Sequence, residues 1–358
     1  MSGTAVVTDE QRELALTVRA LLAKHANHSA VRRAIDSELG YDEKLWHLLC
    51  QQVGVAALAI PEEYGGVGAG PIESHLVLEE LGRTLAPTPM LGSVVLGGQT
   101  LLALGDEDAC GRLLPGIAEG TTIAALCWAG ELGWDTPGVN AGSDGKLNGT
   151  AHYVLDGHIA DVLVVVACAA GGVQFFEVDP TGAGVSRQQV RAMDPTRRLS
   201  VVEFSGVEAR PLSTGDATAV LDHVRNIACA ALAAEEIGAA AQSLAMTVEY
   251  TKSRVQFGRP IGSFQALKHR MADLYVLVET ARSMSYAATA SLETEDCSCA
   301  KVYCSEAFSH VAAESIQLHG GIAITWEHDA HLYFKRAHGN SQLFGQPEEY
   351  VRRLRRTP

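Results

Sequence analysis

The apolar pattern of this chain changes period twice, and that alternation restricts the possible folds more than any single residue does. From Asp9 to about Gly116, apolar residues recur at helical spacing, as at Leu14, Val18, Leu21 and Leu22 and again at Leu45, Leu48 and Leu49. Between Thr121 and Glu208 the period moves toward two. The β-rich runs there start at Tyr153, Val162, Val173 and Leu199, with Gly, Asp and Pro between them. From about Asp216 the Ala-rich helical pattern returns, with predicted helices from Val224 to Arg254, Phe264 to Leu292 and Ala300 to Leu318. Three domains are therefore expected: an N-terminal helical domain over 1–118, a central β-domain over 119–215 and a C-terminal helical domain over 216–358.

With 358 residues and 47% apolar content the chain has ample material for a core. A net charge of −14 argues against general nucleic-acid binding, although a local arginine cluster could still hold a phosphorylated ligand. The first ten residues lack a basic region followed by an apolar run, and no uncharged segment approaches a membrane span, so a cytoplasmic protein is expected. The eight cysteines are scattered apart from Cys297, Cys299 and Cys304, which suits reduced thiols. Neither these nor His328 and His331 have a second matching pair, so no metal site is expected. Trp128 and Trp134 fit structural roles better than a ligand cover. Arg352, Arg353, Arg355 and Arg356 suit a helix C-terminus or a partner's acidic face.

Two motifs carry the chemistry. The first runs Arg254-Val-Gln-Phe257-Gly258-Arg-Pro-Ile-Gly-Ser-Phe-Gln265, and the second is Gln317-Leu-His-Gly320-Gly321. A planar guanidinium at the end of a long helix suits a pyrophosphate dianion. Taken alone, Arg254 reads as a surface ion pair and the glycine pair as a helix stop. Together, and with Leu58-Ala-Ile-Pro-Glu-Glu-Tyr-Gly-Gly66 and Leu78-Glu-Glu-Leu-Gly-Arg83 in the first third, they resemble the acyl-CoA dehydrogenase family over nearly the whole chain. The resemblance implies that family's fold: an N-terminal α-helical domain, a central β-barrel-like domain and a C-terminal four-helix-bundle-like domain. It also implies that Arg254, Phe257, Gly258, Gln265, Gln317, Gly320 and Gly321 contact the adenosine and pyrophosphate of an FAD belonging to a neighbouring subunit.

The same resemblance exposes two gaps. Family members remove the α-proton of an acyl-CoA with a glutamate while hydride leaves Cβ for the flavin. The matching position is Phe344, and the alternative position used by some relatives falls at Ala228, beside Cys229. Neither can accept a proton. Glu235, Glu236 and Glu249 are nearby carboxylates, each better explained as a solvated or ion-paired helix residue. In the β-domain, Leu126-Cys-Trp-Ala-Gly-Glu-Leu-Gly-Trp-Asp135 replaces the family's ring-contacting loop, and Tyr153-Val-Leu155 replaces a strand whose threonine meets the flavin ring.

The chain therefore resembles one subunit of the actinobacterial α2β2 acyl-CoA dehydrogenases of steroid side-chain breakdown. A shared FAD, a related partner bearing the catalytic glutamate, an acyl-CoA substrate and an electron-transfer flavoprotein or similar acceptor are the expectations that follow. Two alternatives stay open: a homomeric dehydrogenase with a displaced carboxylate, and a structural partner without flavin contact.

Overall fold

The structure is a computed structural model that describes residues 7–212 and 215–355. Helices α1 (Asp9–His25), α2 (His28–Asp36) and α3 (Glu43–Leu48) open the chain, and α3 runs into a π-helical turn at Leu49–Val53. Helix α4 (Pro71–Thr84), a second π-helical stretch at Met90–Gly98, α5 (Gln99–Leu104) and α6 (Glu107–Glu119) follow. Ten strands come next: β1 (Ala124–Cys127), β2 (Ala129–Gly130), β3 (Gly133–Pro137), β4 (Val139–Ala141), β5 (Leu147–Leu155), β6 (Val162–Ala169), β7 (Gly172–Val178), β8 (Val185–Val190), β9 (Leu199–Val207) and β10 (Arg210–Pro211). The chain ends with α7 (Ala217–Ser253), a hairpin of β11 (Val255–Gln256) and β12 (Arg259–Pro260), then α8 (Gln265–Ser291), α9 (Thr294–His319), α10 (Ala330–Gln342) and α11 (Pro347–Leu354).

This order of helices, sheet and helices matches the double change of period. Two helices start earlier than their apolar pattern suggests. Helix α7 begins at Ala217 because the Asp216 carboxylate accepts the N–H groups of Thr218 and Ala219. In α9, Glu295 and Asp296 complement the positive end of the first turn, so the helix extends back to Thr294.

The chain divides into two compact units. One comprises Arg33–Ser74 and Pro87–Ala228 and holds the sheet. Strand β5 pairs antiparallel with β4 and β9, β6 pairs antiparallel with β7, and β1 joins β6 in parallel. Alternate residues Leu163, Val165 and Ala167 of β6 face the core with Phe176, Val178, Val202 and Phe204, as period-two patterning requires. The π-helical Met90–Gly98 is buried throughout. A Cβ on Gly97 would overlap the Ala124 side chain and one on Gly92 the Asp156 carboxylate, so glycine lets this wide helix lie on β1 and the end of β5.

The other unit gathers the chain up to Arg32, His75–Ala86 and Cys229 onward. Its core is built largely from small side chains: Cys229, Ala233 and Ile237 of α7, Ala281 and Ala288 of α8, and Cys297, Ala300 and Cys304 of α9, with Tyr350 of α11. All eight cysteines are free thiols. Helix α7 is long and apolar enough to cross a membrane by length and composition, yet 83% of its most apolar window is buried in the fold. Helices α4 and α7 meet backbone to backbone. A Cβ on Gly82 would overlap the Glu235 carbonyl oxygen, and one on Gly238 the Glu79 carbonyl oxygen.

That reciprocal contact yields a stability test. Gly238→Ala is expected to destabilise by about 3 kcal/mol or more, because the helices must separate. Gly111→Ala in α6, where a Cβ meets nothing within 4 Å, should be neutral or stabilising by about 0.5–1 kcal/mol. Urea unfolding of both variants checks this, and equal midpoints would remove the argument for helix contact.

Candidate functional site

Helix α7 ends at Ser253 and passes directly into the β11–β12 hairpin, with Val255 paired to Pro260 and Gln256 to Arg259. The two central residues, Phe257 at φ +53° and Gly258 at φ +76°, are both left-handed, the geometry of a type I′ turn. Asn or Gly usually fills the first of these positions, so Phe257 holds a backbone state that β-carbons disfavour. Phe257 as a residue is 91% exposed. Arg254, Gly258 and Gln265 are exposed as well, and Gln265 begins α8.

The second motif lies at the end of α9. Gln317, Gly320 and Gly321 are exposed, and Gly320, at φ +67°, turns the chain toward α10. Tyr250, one turn before Arg254, stacks on His319 at 4.4 Å between ring centroids. Thr247 of α7 also donates to Ser315 of α9 at 2.8 Å. The two motifs, fifty-odd residues apart in sequence, are thereby held at the same end of the α7–α9 pair. A Cβ at Gly258, Gly320 or Gly321 would meet nothing within 4 Å, so an extended phosphodiester can approach this backbone closely.

Histidines support the turn between α9 and α10. His319 Nδ1 donates to the Ser315 carbonyl at 2.8 Å, and its ring lies 4.4 Å from that of His328. His328 Nδ1 accepts the Ala330 N–H at 3.1 Å and so helps cap α10. Buried His331 has no hydrogen-bond partner on either ring nitrogen among the described residues and packs edge-on against Trp326 at 4.7 Å. Burial lowers all three histidines, and with Lys335 and Arg32 adding to it His331 falls to about 4. These residues look inward and serve the fold, and no cluster of three or more His, Cys, Asp or Glu side chains able to hold a metal occurs among the described residues.

The two positions that the resemblance implies for the family's base, 344 and 228, are both buried. Phe344 is fully buried at φ +64°, and its carbonyl accepts the Tyr350 hydroxyl at 2.7 Å. Ala228 is likewise fully buried. Of the neighbouring carboxylates, Glu249 is an exposed partner of Lys252 at 2.6 Å and Glu235 lies 3.6 Å from Arg336. Glu236 is fully buried and accepts from Ser305 at 2.9 Å. Ser305 in turn meets buried Lys301, whose ammonium caps the Asn340 carbonyl at the end of α10 at 2.7 Å. Of the solvated or ion-paired states expected for these carboxylates, Glu235 and Glu249 take the ion-paired one, whereas Glu236 is buried and hydrogen-bonded rather than solvated. Periodicity could have suggested the burial of Glu236, because it lies in an otherwise apolar, Ala-rich stretch broken only by Glu235.

In the sheet-bearing unit, the substituted loop and strand pack on one another. Trp128 and Trp134 meet edge to face at 5.3 Å, and Trp134 stacks on Tyr153 at 5.9 Å. The guanidinium of Arg225 sits 4.7 Å over Trp128 and donates to the Trp134 carbonyl at 2.9 Å. Both tryptophans are buried, in keeping with structural roles, and Leu155 is buried too. Sequence reading missed Arg225 because nothing local marks a helix arginine as the partner of a distant indole. Arg352 and Arg353 occupy the last turn of α11, where cations complement the helix dipole, while Arg356 lies outside the described residues.

Comparisons with known proteins match both helical regions of the chain. The family description "Acyl-CoA dehydrogenase, N-terminal domain" matches residues 8–121 and "Acyl-CoA dehydrogenase, C-terminal domain" matches 218–356. The chain is 47% identical to acyl-CoA dehydrogenase IpdE2 of Mycobacterium tuberculosis, covering 97% of this chain and 96% of that protein. Among solved structures it is similar to a variant of the Tcur3481–Tcur3483 steroid ACAD, with TM-score 0.90 and 30% identity over 98% of this chain and 97% of that one. It is also similar to a chain of the ChsE4–ChsE5 complex from M. tuberculosis, with TM-score 0.91 and 28% identity over 99% of both chains.

The neutral histidines give a pH expectation. Unfolded chains take up protons near the ordinary histidine value of about 6.5, whereas the folded chain resists protonation until lower pH. Stability should be level above about pH 6.5 and fall as the pH drops toward 4, with a shallower fall in His331→Gln. Urea midpoints between pH 7.5 and 4.5 measure this, and a flat wild-type profile contradicts it.

Proposed function

The chain belongs to the acyl-CoA dehydrogenase family of FAD-dependent oxidoreductases, and we propose that it acts as a base-lacking subunit of a heteromeric member. In this reading Arg254, Phe257, Gly258, Gln265, Gln317, Gly320 and Gly321 meet the adenosine-pyrophosphate half of an FAD whose ring, together with the catalytic glutamate, belongs to a related partner. One contrast carries the proposal: every residue of the lent half-site faces solvent, while both base positions are closed by buried carbon side chains.

The chemistry of each half supports it. An exposed guanidinium and glycines with open space above them suit a pyrophosphate arriving from outside the chain. The segments that the family uses against the flavin ring are filled instead by Trp128, Trp134 and Tyr153 packed on each other and on Arg225. FAD, when bound, takes the hydride that leaves Cβ of an acyl-CoA; this chain's part is to hold and orient the far end of the cofactor. The two-component names of the ChsE4–ChsE5 and Tcur3481–Tcur3483 structures favour an α2β2 assembly, and the word "steroid" in the latter favours a steroid side-chain CoA ester. An electron-transfer flavoprotein or similar acceptor and a cytoplasmic setting complete the proposal.

The displaced-base alternative finds no support, since Glu235, Glu236 and Glu249 are each engaged elsewhere. Visible absorbance of the chain purified alone and co-expressed with its related partner tests the proposal. Flavin is expected only in the co-expressed sample, at about one FAD per pair of chains, and Arg254→Ala should lose it while the subunits stay associated. A yellow chain that bleaches with acyl-CoA on its own would overturn the reading.

Phe344→Glu, made in the isolated chain, should gain no acyl-CoA-dependent bleaching. It should also lose about 3–5 kcal/mol of stability, because it buries a carboxylate in an apolar site. Turnover by that variant alone would show that the ring pocket is intact.

A further inference from the structure

A run of exposed cations lies beside Arg254, and the proposed function uses only one of them. Over residues 252–270 the chain carries Lys252, Arg254, Arg259, Lys268 and Arg270 and no Asp or Glu, although its net charge is −14. Lys252 pairs with Glu249 at 2.6 Å and Arg270 with Glu314 at 2.5 Å. Arg254, Arg259 and Lys268 have no carboxylate partner among the described residues. An unpaired exposed arginine is ordinary; two on one face of a two-stranded hairpin call for an explanation.

The hairpin register puts them there. Opposite residues in an antiparallel pair share a face, as do residues two apart on one strand. Gln256 is paired with Arg259, and the Ile261 N–H donates to the Arg254 carbonyl at 2.8 Å, which extends the ladder by one step. Arg254, Gln256 and Arg259 therefore share a face, with Arg254 and Arg259 in the diagonal relation whose backbones lie about 7–8 Å apart. Two long guanidinium side chains can converge on one anion across that gap. The type I′ turn at Phe257 and Gly258 holds the strands in this register. The Arg259 guanidinium also rests 3.9 Å over the Phe264 ring, which limits its motion before any ligand arrives.

We infer that Arg259 is a second phosphate-binding residue, so that Arg254 and Arg259 together clamp a diphosphate esterified to adenosine, supplied by the FAD of the partner chain. A pyrophosphate carries two negative charges, and Arg254 alone balances one; Arg259 supplies the other without a new element of structure. This inference rests on the shared-cofactor reading. Coenzyme A also contains an adenosine diphosphate, so the test separates the two sources.

The experiment uses the complex co-expressed with the related glutamate-bearing chain, stripped of flavin and titrated with FAD by fluorescence quenching. Variants Arg254→Ala, Arg259→Gln, Arg259→Lys and Lys268→Gln are compared, with gel filtration to confirm that the subunits remain associated. Arg259→Gln is expected to weaken FAD binding about tenfold or more, the usual effect of one lost charge-assisted contact. Arg259→Lys, which keeps the charge and loses the planar fork, should fall between Arg259→Gln and wild type. Lys268→Gln, which removes a cation from α8 rather than from the hairpin face, should change the affinity less than threefold or so.

Equal losses for Arg259→Gln and Lys268→Gln would reveal a general field and overturn the clamp. An unchanged FAD affinity in Arg259→Gln, with a large loss in Arg254→Ala, would overturn the role of Arg259 and leave the shared site intact. An unchanged affinity in Arg254→Ala would overturn the shared-site reading itself. If Arg259→Gln spares FAD but weakens coenzyme A binding, followed by calorimetry on the flavin-loaded complex, the anion is the substrate's and the assignment to FAD is wrong.

Discussion

Backbone contact between α4 and α7 is the constraint from which much of the helical unit follows. Gly82 lies against the Glu235 carbonyl and Gly238 against the Glu79 carbonyl, leaving no room for a β-carbon at either point. Helices this close bury whatever flanks the contact, and here the flanking residues include the carboxylates Glu79, Glu80 and Glu235. A buried carboxylate without a cation costs several kcal/mol, so each has found one. Glu79 is engaged by Arg282 of α8, Glu80 by Arg19 of α1 at 2.6 and 2.8 Å, and Glu235 by Arg336 of α10. One close approach thereby ties three other helices of the unit, α1, α8 and α10, to the α4–α7 pair.

The direction of α7 also decides where the Arg254 and Gln317 motifs lie. Its last turns bring Thr247 to Ser315 and Tyr250 to His319, which sets the hairpin beside the glycine turn that follows α9. At the opposite end of the same bundle, Lys301, Ser305 and Glu236 secure the end of α10, and Tyr350 secures Phe344. The hydrogen bonds donated by Lys301, Ser305 and Tyr350 run to Ser305, to Glu236 or to the backbone. Under the proposed function, a surface whose Arg254 and Arg259 have no carboxylate partner among the described residues and buried carbon side chains at positions 228 and 344 are complementary properties. The first suits a residue set that works on another chain's cofactor, and the second suits a chain that performs no proton transfer itself.

The fold was legible because periodicity is a local consequence of burial. An amphipathic helix or half-buried strand must repeat its apolar residues, and the runs around Leu14 and Val162 do so. Boundaries were less legible where caps outran the apolar pattern, as Asp216 does for α7. The π-helical Met90–Gly98 was invisible, because its glycines acquire meaning only from Ala124 and Asp156, which approach them in three dimensions. Among the site residues, the Arg254 and Gln317 motifs stood out as contiguous strings. The engagement of Glu236 with Ser305 and the packing of Arg225 on Trp128 did not, since the partners are sixty-nine and ninety-seven residues apart.

By itself, the sequence determined the succession of helices, strands and helices, the family resemblance and the absence of a carboxylate at positions 228 and 344. These follow from residue identity and short-range spacing, which folding does not alter. Only the tertiary structure decided that the Arg254 and Gln317 motifs are held together through Tyr250 and His319, and that Arg254 and Arg259 share a hairpin face without carboxylate partners among the described residues. It likewise decided that tryptophan rings and a guanidinium fill the altered part of the β-domain. Those properties depend on which distant side chains arrive at a given place. Because the neutralisation of a charge or the filling of a pocket is a matter of three-dimensional proximity, no one-dimensional pattern contains it.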